Sequence, residues 1–546
     1  MVSIINNVVH GGPAFYIPAH ISFGQYVVDK FRAVFDTEEG SKVAMTNGET
    51  GQETTYRQLL QEIVNVGTGL KKLGVKRGDV VALCSENKSE YIAAALAVVC
   101  CGATITPLNI QYTKDEMTHV MKISKPNMLI CSEAAMKLNY STFKKVPFIK
   151  KIIQLDGEPT VAGVIPYREL LVATDVWAFE ATEVQGWTDT AYILYSSGTT
   201  GLPKGVMLTH LNILYSAANF ENGDKNNPIP DLKFLTIVPW YHAYGLMSTI
   251  NYLIVRKQLV YLSGFNPKKY LNAIQEYKIN VLVAVPPIVV FLAKSPLAAQ
   301  YDLSSVLVVL CGAAPLSVET INDAMKRLPT CLGIFQGYGM TETSLLATTD
   351  LDMEKSKPGS GGYPVPGLKA KVVDLDTGKK QGPRQSGEIC LKGPLMMKGY
   401  AGNEAATREM IDSEGYLKTG DIGYYDEDGS FFVIDRLKEL IKYKGYQVPP
   451  AEVESVLLEH PAVAESAVVG APDEAAGELP TAFVVLKPGI TATEKEIIDF
   501  AATRLSSAKR LHGGVIFIDA IPKNPSGKIL RRVLRQKLKE KKKSKL

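Results

Sequence analysis

The sequence predicts an α/β protein. It is read as a large N-terminal domain of two βαβ subdomains plus a small β-rich subdomain, followed by a small α+β C-terminal domain. Three observations carry this reading. Short apolar runs alternate with helical patterns from Thr55 to Thr343, the arrangement of parallel βαβ units. Beyond residue 360, glycine and proline become dense and the strand-like runs shorten. The last hundred or so residues mix short strands with helices and end in a basic helix. At 546 residues the chain is long enough for more than one domain with its own core. The domains are placed at 1–434 and 439–546, with Asp435-Arg436-Leu437-Lys438 between them.

Leu59, Ile63, Val66, Leu70 and Leu73 recur at helical spacing, and Gly74 stops that helix. A strand at Val80–Cys84 precedes a helix near Ser89–Val99 and a strand near Thr104–Leu108. Thr113 with Glu116 forms a capping box that opens the next helix. Asn127–Cys131 and Lys151–Leu155 read as further buried strands, as do Leu235–Val238, Asn280–Val285 and Val306–Leu310. Several of these end in small or turn-forming residues. In open α/β sheets ligands bind beyond the carboxyl ends of strands, so such ends gather around one site. Lys369–Asp374 and Gly387–Lys392 belong to the β-rich part, and a strand at Phe431–Ile434 reaches the junction. Beyond it come a helix at Pro450–His460, strands near Ser466–Val469 and Ala482–Leu486, and a helix near Glu494–Leu505.

Composition excludes several classes. The apolar and charged fractions, 46% and 21%, are those of a globular protein. The net charge of +4 is misleading, because residues 531–546 alone carry nine Lys/Arg and one Glu. The basic excess is therefore a tail and not a nucleic-acid-binding surface. Seven scattered cysteines without a CxxC suit free, buried thiols in a reducing compartment. The seven histidines form no metal-ligand cluster. Met1–Ala19 lacks the basic and apolar regions of a secretory signal, and Tyr91–Leu108 is too short and broken for a transmembrane segment. Ser544-Lys545-Leu546 reads as a peroxisomal address for an import receptor.

The richest motif is Tyr195-Ser196-Ser197-Gly198-Thr199-Thr200-Gly201-Leu202-Pro203-Lys204-Gly205. Glycines let its backbone N–H groups close around a polyanion, while hydroxyls add donors and Lys204 adds a compact charge. It is not a P-loop, since Pro203 precedes the lysine and the apolar run Val206-Met207-Leu208 follows. The expected ligand is a nucleoside triphosphate.

This loop, together with Tyr338-Gly339-Met340-Thr341-Glu342, Thr419-Gly420-Asp421 and Asn524-Pro525-Ser526-Gly527-Lys528, resembles the adenylate-forming superfamily. That superfamily holds acyl-CoA synthetases, 4-coumarate:CoA ligases and beetle luciferases. The resemblance spans nearly the whole chain. The stretch from Asp435 to Val448 is similar to the branch of beetle luciferases and insect luciferase-like acyl-CoA synthetases. Gly387 to Gly393 is similar to the second signature of plant coumarate ligases.

The resemblance implies a reaction in two halves. A carboxylate attacks the α-phosphate of ATP, giving an acyl-adenylate and pyrophosphate; the thiol of coenzyme A then displaces AMP. It implies that Lys528 bridges carboxylate and α-phosphate, that Thr341 bonds the α-phosphate, and that Glu342 helps hold Mg²⁺. Tyr338 offers a flat face to adenine beside Gly312-Ala313-Ala314, with Gln336, Gly337 and Gly339 adjoining. Asp421 accepts the ribose hydroxyls, and Arg436 reaches the ribose or phosphate. His242 and Tyr244 line the acyl pocket with Leu345 and Leu346. Because Lys528 blocks the acyl carbon from a thiol, the family rotates a mobile small domain about a hinge, here 435–438. The rotated face presents Lys442, Gly445 and Tyr446 to the pantetheine arm.

Luciferases carry serine and alanine at the positions of Leu345 and Leu346, and phenylalanine at Tyr244. Leucine adds apolar bulk and cannot hydrogen-bond, which favours an alkyl chain over a heteroaromatic acid. The expected enzyme is a peroxisomal fatty acid:CoA ligase for medium- or long-chain acids. A luciferase and an aromatic-acid ligase are the alternatives.

Overall fold

The protein is described from a computed structural model, covering residues 2–18, 20–196, 203–225, 231–314, 316–350, 356–444, 446–523 and 527–543. Two large, mostly parallel sheets form the bulk of the chain. The first has eight strands, and its parallel core runs from Thr190–Ser196 through Thr104–Pro107, Val80–Cys84, Met128–Cys131 and Lys151–Gln154 to Val164–Pro166. The second has nine, with Gly333–Tyr338, Val308–Cys311, Val281–Ala284, Lys233–Thr236, Gln258–Tyr261 and Val43–Asn47 parallel in that order. These are the two expected βαβ subdomains.

The strands are apolar on both faces because helices cover both sides of the sheets. The helix Ser89–Cys100 is buried along its whole length, so it is apolar all round where surface helices carry one stripe. It packs on Tyr56–Lys72, whose Leu59, Ile63, Val66 and Leu70 are fully buried. Tyr91 on the buried helix reaches across to the other sheet, donating its hydroxyl to the Trp240 carbonyl at 3.2 Å. One continuous apolar core therefore serves both sheets.

Several boundaries differ from those read in the sequence. The expected strand Leu235–Val238 is Lys233–Thr236, and the capping box at Thr113/Glu116 has a second counterpart at Thr55/Gln58. The strand Val43–Asn47 went unread. It pairs with Gln258–Tyr261, and Thr46 and Gln258 are 212 residues apart. The hairpin Ser3–Ile5/Val8–His10 was also unread; it extends the six-stranded antiparallel sheet built from Lys369–Val373, Gly387–Lys392, Leu417–Tyr425 and Phe431–Arg436. That last strand continues through Asp435 and Arg436, so the expected junction begins inside a strand and not after it.

The remaining residues form a five-stranded sheet with the helices Pro450–Leu458 and Glu494–Ala502 against it. A buried ion cluster ties this unit to the junction. Arg531 pairs with Glu454 at 2.6 Å and with Glu439 at 2.8 Å. Asp435 accepts the Ala451 N–H at 2.8 Å, in the first turn of the helix Pro450–Leu458, where a carboxylate meets the positive end of the helix dipole. No helix among the described residues is long and apolar enough to cross a membrane.

Removing one partner of a buried pair leaves an uncompensated charge. Arg531→Met is therefore expected to destabilise the C-terminal unit by about 3–5 kcal/mol. Denaturant unfolding followed by limited proteolysis of the tail would measure this. A loss below about 1 kcal/mol, the usual worth of an exposed pair, would show that the cluster does not anchor the unit.

Candidate active site

The carboxyl ends of the nine-stranded sheet face a cavity of about 850 Å³. Cys311-Gly312-Ala313 and Gln336-Gly337 line it at those ends, with Gly339, Met340 and Thr341 from the following loop. That loop is tightly shaped. A Cβ on Gly339 would lie 1.8 Å from the Leu345 carbonyl oxygen, so no other residue fits there. Thr341–Thr343 forms one turn of 3₁₀ helix, closed by Ser344 and Leu345 in left-handed backbone conformations. The turn sends Leu345 and Leu346 into the cavity wall beside Thr341.

Glu342 is almost fully buried. One of its oxygens accepts the hydroxyls of Ser196 and Tyr400, each at 2.8 Å. Both donors come from the eight-stranded sheet, Ser196 from the end of Thr190–Ser196 and Tyr400 from the edge strand Gly399–Tyr400. Lys204 lies over the Tyr400 ring, 4.8 Å from its centroid. The loop is thus held at both ends against Glu342. Its central residues Ser197, Gly198, Thr199, Thr200 and Gly201 lie outside the described residues. A single carboxylate flanked by hydroxyls fits Mg²⁺ when phosphates complete the coordination, and not a cage of protein ligands. Among the described residues, no group of three or more His, Cys, Asp or Glu side chains is placed to hold a metal.

Asp421 is buried, and its carboxylate accepts the Tyr338 hydroxyl at 2.8 Å. Arg436 stands 3.4 Å from its other oxygen. Burial raises the Asp421 carboxyl above the usual range, and the Arg436 charge opposes this. Tyr338 was expected to offer its face to adenine; what the structure shows is its hydroxyl bonded to the acidic residue.

Lys528 is brought to the same place by the C-terminal unit. Gly527 takes a left-handed conformation against Pro287, where an added Cβ would lie 2.9 Å from the proline Cγ. Pro287 follows the carboxyl end of Val281–Ala284, so Lys528 arrives above the strand ends. Burial and the Arg436 charge push its ammonium down to about 8, with Glu439 and Asp421 pulling the other way.

His242 lines the cavity with a buried ring whose Nε2 has no hydrogen-bond partner among the described residues. Burial lowers it to about 4, so it is neutral at physiological pH. Tyr244 is fixed in the wall by donating its hydroxyl to the Ala284 and Leu310 carbonyls, at 3.1 and 3.3 Å. Lys442 and Tyr446 are exposed on the hairpin Ile441–Tyr443/Tyr446–Val448 and are not brought to this cavity. Gly445 and Ala314 differ in status: Ala314 follows the cavity-lining Ala313, while Gly445 lies outside the described residues.

Sequence reasoning missed Tyr400, Glu439 and Asp350, along with the cavity's far end. Asp350 lines the wall with its carboxyl pushed up to about 6 by burial. Near the amino ends of the strands the cavity is also lined by Asn219, Asp224 and Lys257. No motif marks these residues, because they meet only through the fold.

Residues 32–401 match the AMP-binding enzyme family, and residues 452–528 match the AMP-binding enzyme C-terminal domain. The chain belongs to the AMP-binding enzyme family, whose members include acid:CoA ligases and luciferases. It is 42% identical to the luciferin 4-monooxygenase of Nipponoluciola cruciata over 91% of this chain and 92% of that one. It is 40% identical to 4-coumarate–CoA ligase 3 of Arabidopsis thaliana, covering 96% and 93%. It is also 39% identical to the peroxisomal OPC-8:0-CoA ligase 1 of that plant, covering 90% of each. Among solved structures, ATP-bound MatB from Rhodopseudomonas palustris superposes with a TM-score of 0.83 at 29% identity, covering 93% and 98%.

The environment of Lys528 makes a prediction independent of any role. A ¹³C-methyl-lysine titration should show one ammonium with a midpoint near 8, against about 10.4 for ordinary lysines. Asp421→Asn removes a favourable charge and should lower it further. A midpoint above 10 in the unmodified protein would contradict the geometry.

Proposed function

We propose that this chain is an ATP-dependent fatty acid:CoA ligase for medium- or long-chain acids, acting in the peroxisome. The observation that carries this is the cavity. It opens at the strand ends beside Thr341 and continues down an apolar wall that includes Leu345, Leu346, Phe234, Val281 and Val308. From Val308 to Gly312 it spans four residues of one strand, about 13 Å. That depth is about that of four fully extended residues, some twelve backbone bonds, so it suits an extended chain of roughly ten carbons.

In the first half-reaction, a bond forms between a substrate carboxylate oxygen and the α-phosphorus. The bond from that phosphorus to the bridging oxygen breaks, and pyrophosphate leaves. Two anions meet, so the protein must supply positive charge where negative charge accumulates. Lys528 supplies it, with Arg436 beside Asp421 at the ribose and Thr341 at the α-phosphate. The loop from Ser196 to Lys204 holds the departing phosphates. Glu342 would hold Mg²⁺, which neutralises phosphate charge when bound. Neutral His242 packs beside the carboxylate without adding or removing a proton.

In the second half-reaction, the CoA thiol loses its proton to solvent as the carbon–sulfur bond forms, and the acyl carbon–oxygen bond to AMP breaks. Lys528 stands in the thiol's path. Rotation of the C-terminal unit about 435–438 withdraws it and presents the exposed Lys442 and Tyr446 with Gly445. The peroxisomal reading rests on Ser544-Lys545-Leu546, which lies outside the described residues, and on the name of one relative. A second reading, luciferin oxygenation, is favoured by the luciferase relatives. Leu345 and Leu346, which bring no polar group to that wall, weigh against it.

The direct test is AMP release with ATP and CoA across C8–C18 acids, 4-coumarate and luciferin, with light recorded. Thioester formation from C8–C14 acids is expected; its absence, or bright emission with luciferin, would overturn the reading. Lys528→Ala should lower adenylation about 10²–10³-fold while largely sparing thioester formation from supplied acyl-adenylate. Equal loss of both steps would refute the rotation. The free enzyme needs Lys528 protonated, a state present below about 8 and lost above it. Accordingly kcat/KM for ATP should fall tenfold per pH unit above that value, and a flat profile to pH 10 would remove Lys528 from the step.

A further inference from the structure

At the amino ends of the strands the cavity carries polar groups among apolar lining such as Leu232 and Val255. Lys257 lies just before the strand Gln258–Tyr261, and its ammonium pairs with Asp224 of the helix His210–Lys225 at 2.8 Å. The Lys257 side chain is only 11% exposed. Its backbone is fixed on both sides, with the N–H donating to the Tyr252 carbonyl and the carbonyl accepting the Tyr56 hydroxyl at 2.8 Å. One and a half helical turns before Asp224, Asn219 also lines the cavity. Its amide nitrogen donates to the Tyr215 carbonyl at 3.2 Å, while its buried Oδ1 has no partner among the described residues.

A buried acceptor without a donor carries a penalty that a suitable ligand removes. A terminal methyl group would leave Asn219 Oδ1 unpaired and would press on a half-buried ion pair. A second carboxylate fits no better, because it brings no donor for Asn219 and meets the Asp224 charge. A hydroxyl suits the chemistry of either group: its O–H can donate to Asn219 Oδ1, or its oxygen can accept from Lys257 Nζ.

We propose that the far end of the pocket reads a hydroxyl group, so that the substrates are aliphatic carboxylic acids hydroxylated near the end of the chain. Lys257, Asn219 and Asp224 are the specificity-determining residues. This rests on the fatty-acid reading above and narrows it. The apolar middle of the pocket takes the methylenes, and the two polar ends take the two oxygenated ends of the substrate. The class of reaction that must supply such a substrate is terminal or near-terminal hydroxylation of a fatty acid.

The test compares 10-hydroxydecanoate with decanoate and 12-hydroxydodecanoate with dodecanoate, with 4-coumarate as the aromatic hydroxy acid. AMP release with ATP, Mg²⁺ and CoA gives kcat/KM for each. The unmodified enzyme should prefer the hydroxylated member of at least one pair by about tenfold, since a site built to bond a hydroxyl rejects the analogue lacking it. Asn219→Leu, and the paired change Lys257→Met with Asp224→Asn that leaves no lone buried charge, should each bring that ratio close to one. Circular dichroism and melting temperature establish that these variants fold, and the substrate comparison in the unmodified enzyme needs no variant at all. Decanoate and dodecanoate used at least as well as their hydroxylated partners would overturn this inference and leave the fatty-acid reading standing. A hydroxyl preference that survives both variants would overturn it too, as would a preference for 4-coumarate over both hydroxylated chains. No activation of any aliphatic acid would overturn the fatty-acid reading itself, and this inference with it.

Discussion

A single buried carboxylate joins the two large sheets at the edge where the chemistry is placed. Glu342 belongs to the loop after Gly333–Tyr338, yet both hydroxyls it accepts come from the other sheet. Carboxylates are costly to bury without donors, so this position requires Ser196 and Tyr400 to stay where they are. The loop from Ser196 to Lys204 starts from one of these donors, and Lys204 at its far end lies over the ring of the other. Loop anchoring and the proposed metal position therefore share the same two hydroxyl donors, while the continuous apolar core docks the sheets.

Much of this was legible in the chain. Parallel strands announce themselves as short apolar runs ending in small residues, and the two parallel sheets follow from that pattern. Glycine-bearing motifs such as Tyr338-Gly339-Met340-Thr341-Glu342 are visible because a tight turn tolerates few residues. What stayed hidden depends on contacts between distant segments. Tyr400 bonds Glu342 across 58 residues and sits in a strand two residues long. Val43–Asn47 has ordinary composition and becomes a strand only because Gln258–Tyr261 arrives beside it. Asn219, Asp224 and Lys257 read as polar residues of a helix end and a loop until the cavity gathers them.

The pocket combines two kinds of recognition that act differently. Its wall is apolar and shape-limited, and such surfaces separate chain lengths only weakly, one methylene at a time. Its ends are polar and sparse, and they discriminate by what they leave unpaired. On the proposed reading, every acid would share the carboxylate end, and the far end would tell one acid from another.

The pairing of Val43–Asn47 with Gln258–Tyr261 also bears on how the chain folds. Thr46 waits through 212 residues of synthesis before its partner strand exists. The eight-stranded sheet draws all but one of its strands from residues 80 to 209, so these are synthesised before residue 261. The nine-stranded sheet, which carries the cavity, stays open at that edge until residue 261 has emerged. Long-range pairings form slowly and leave strand edges exposed in the interim. During synthesis most strands of the first sheet therefore emerge before Gln258–Tyr261, and one edge of Val43–Asn47 has no partner until then.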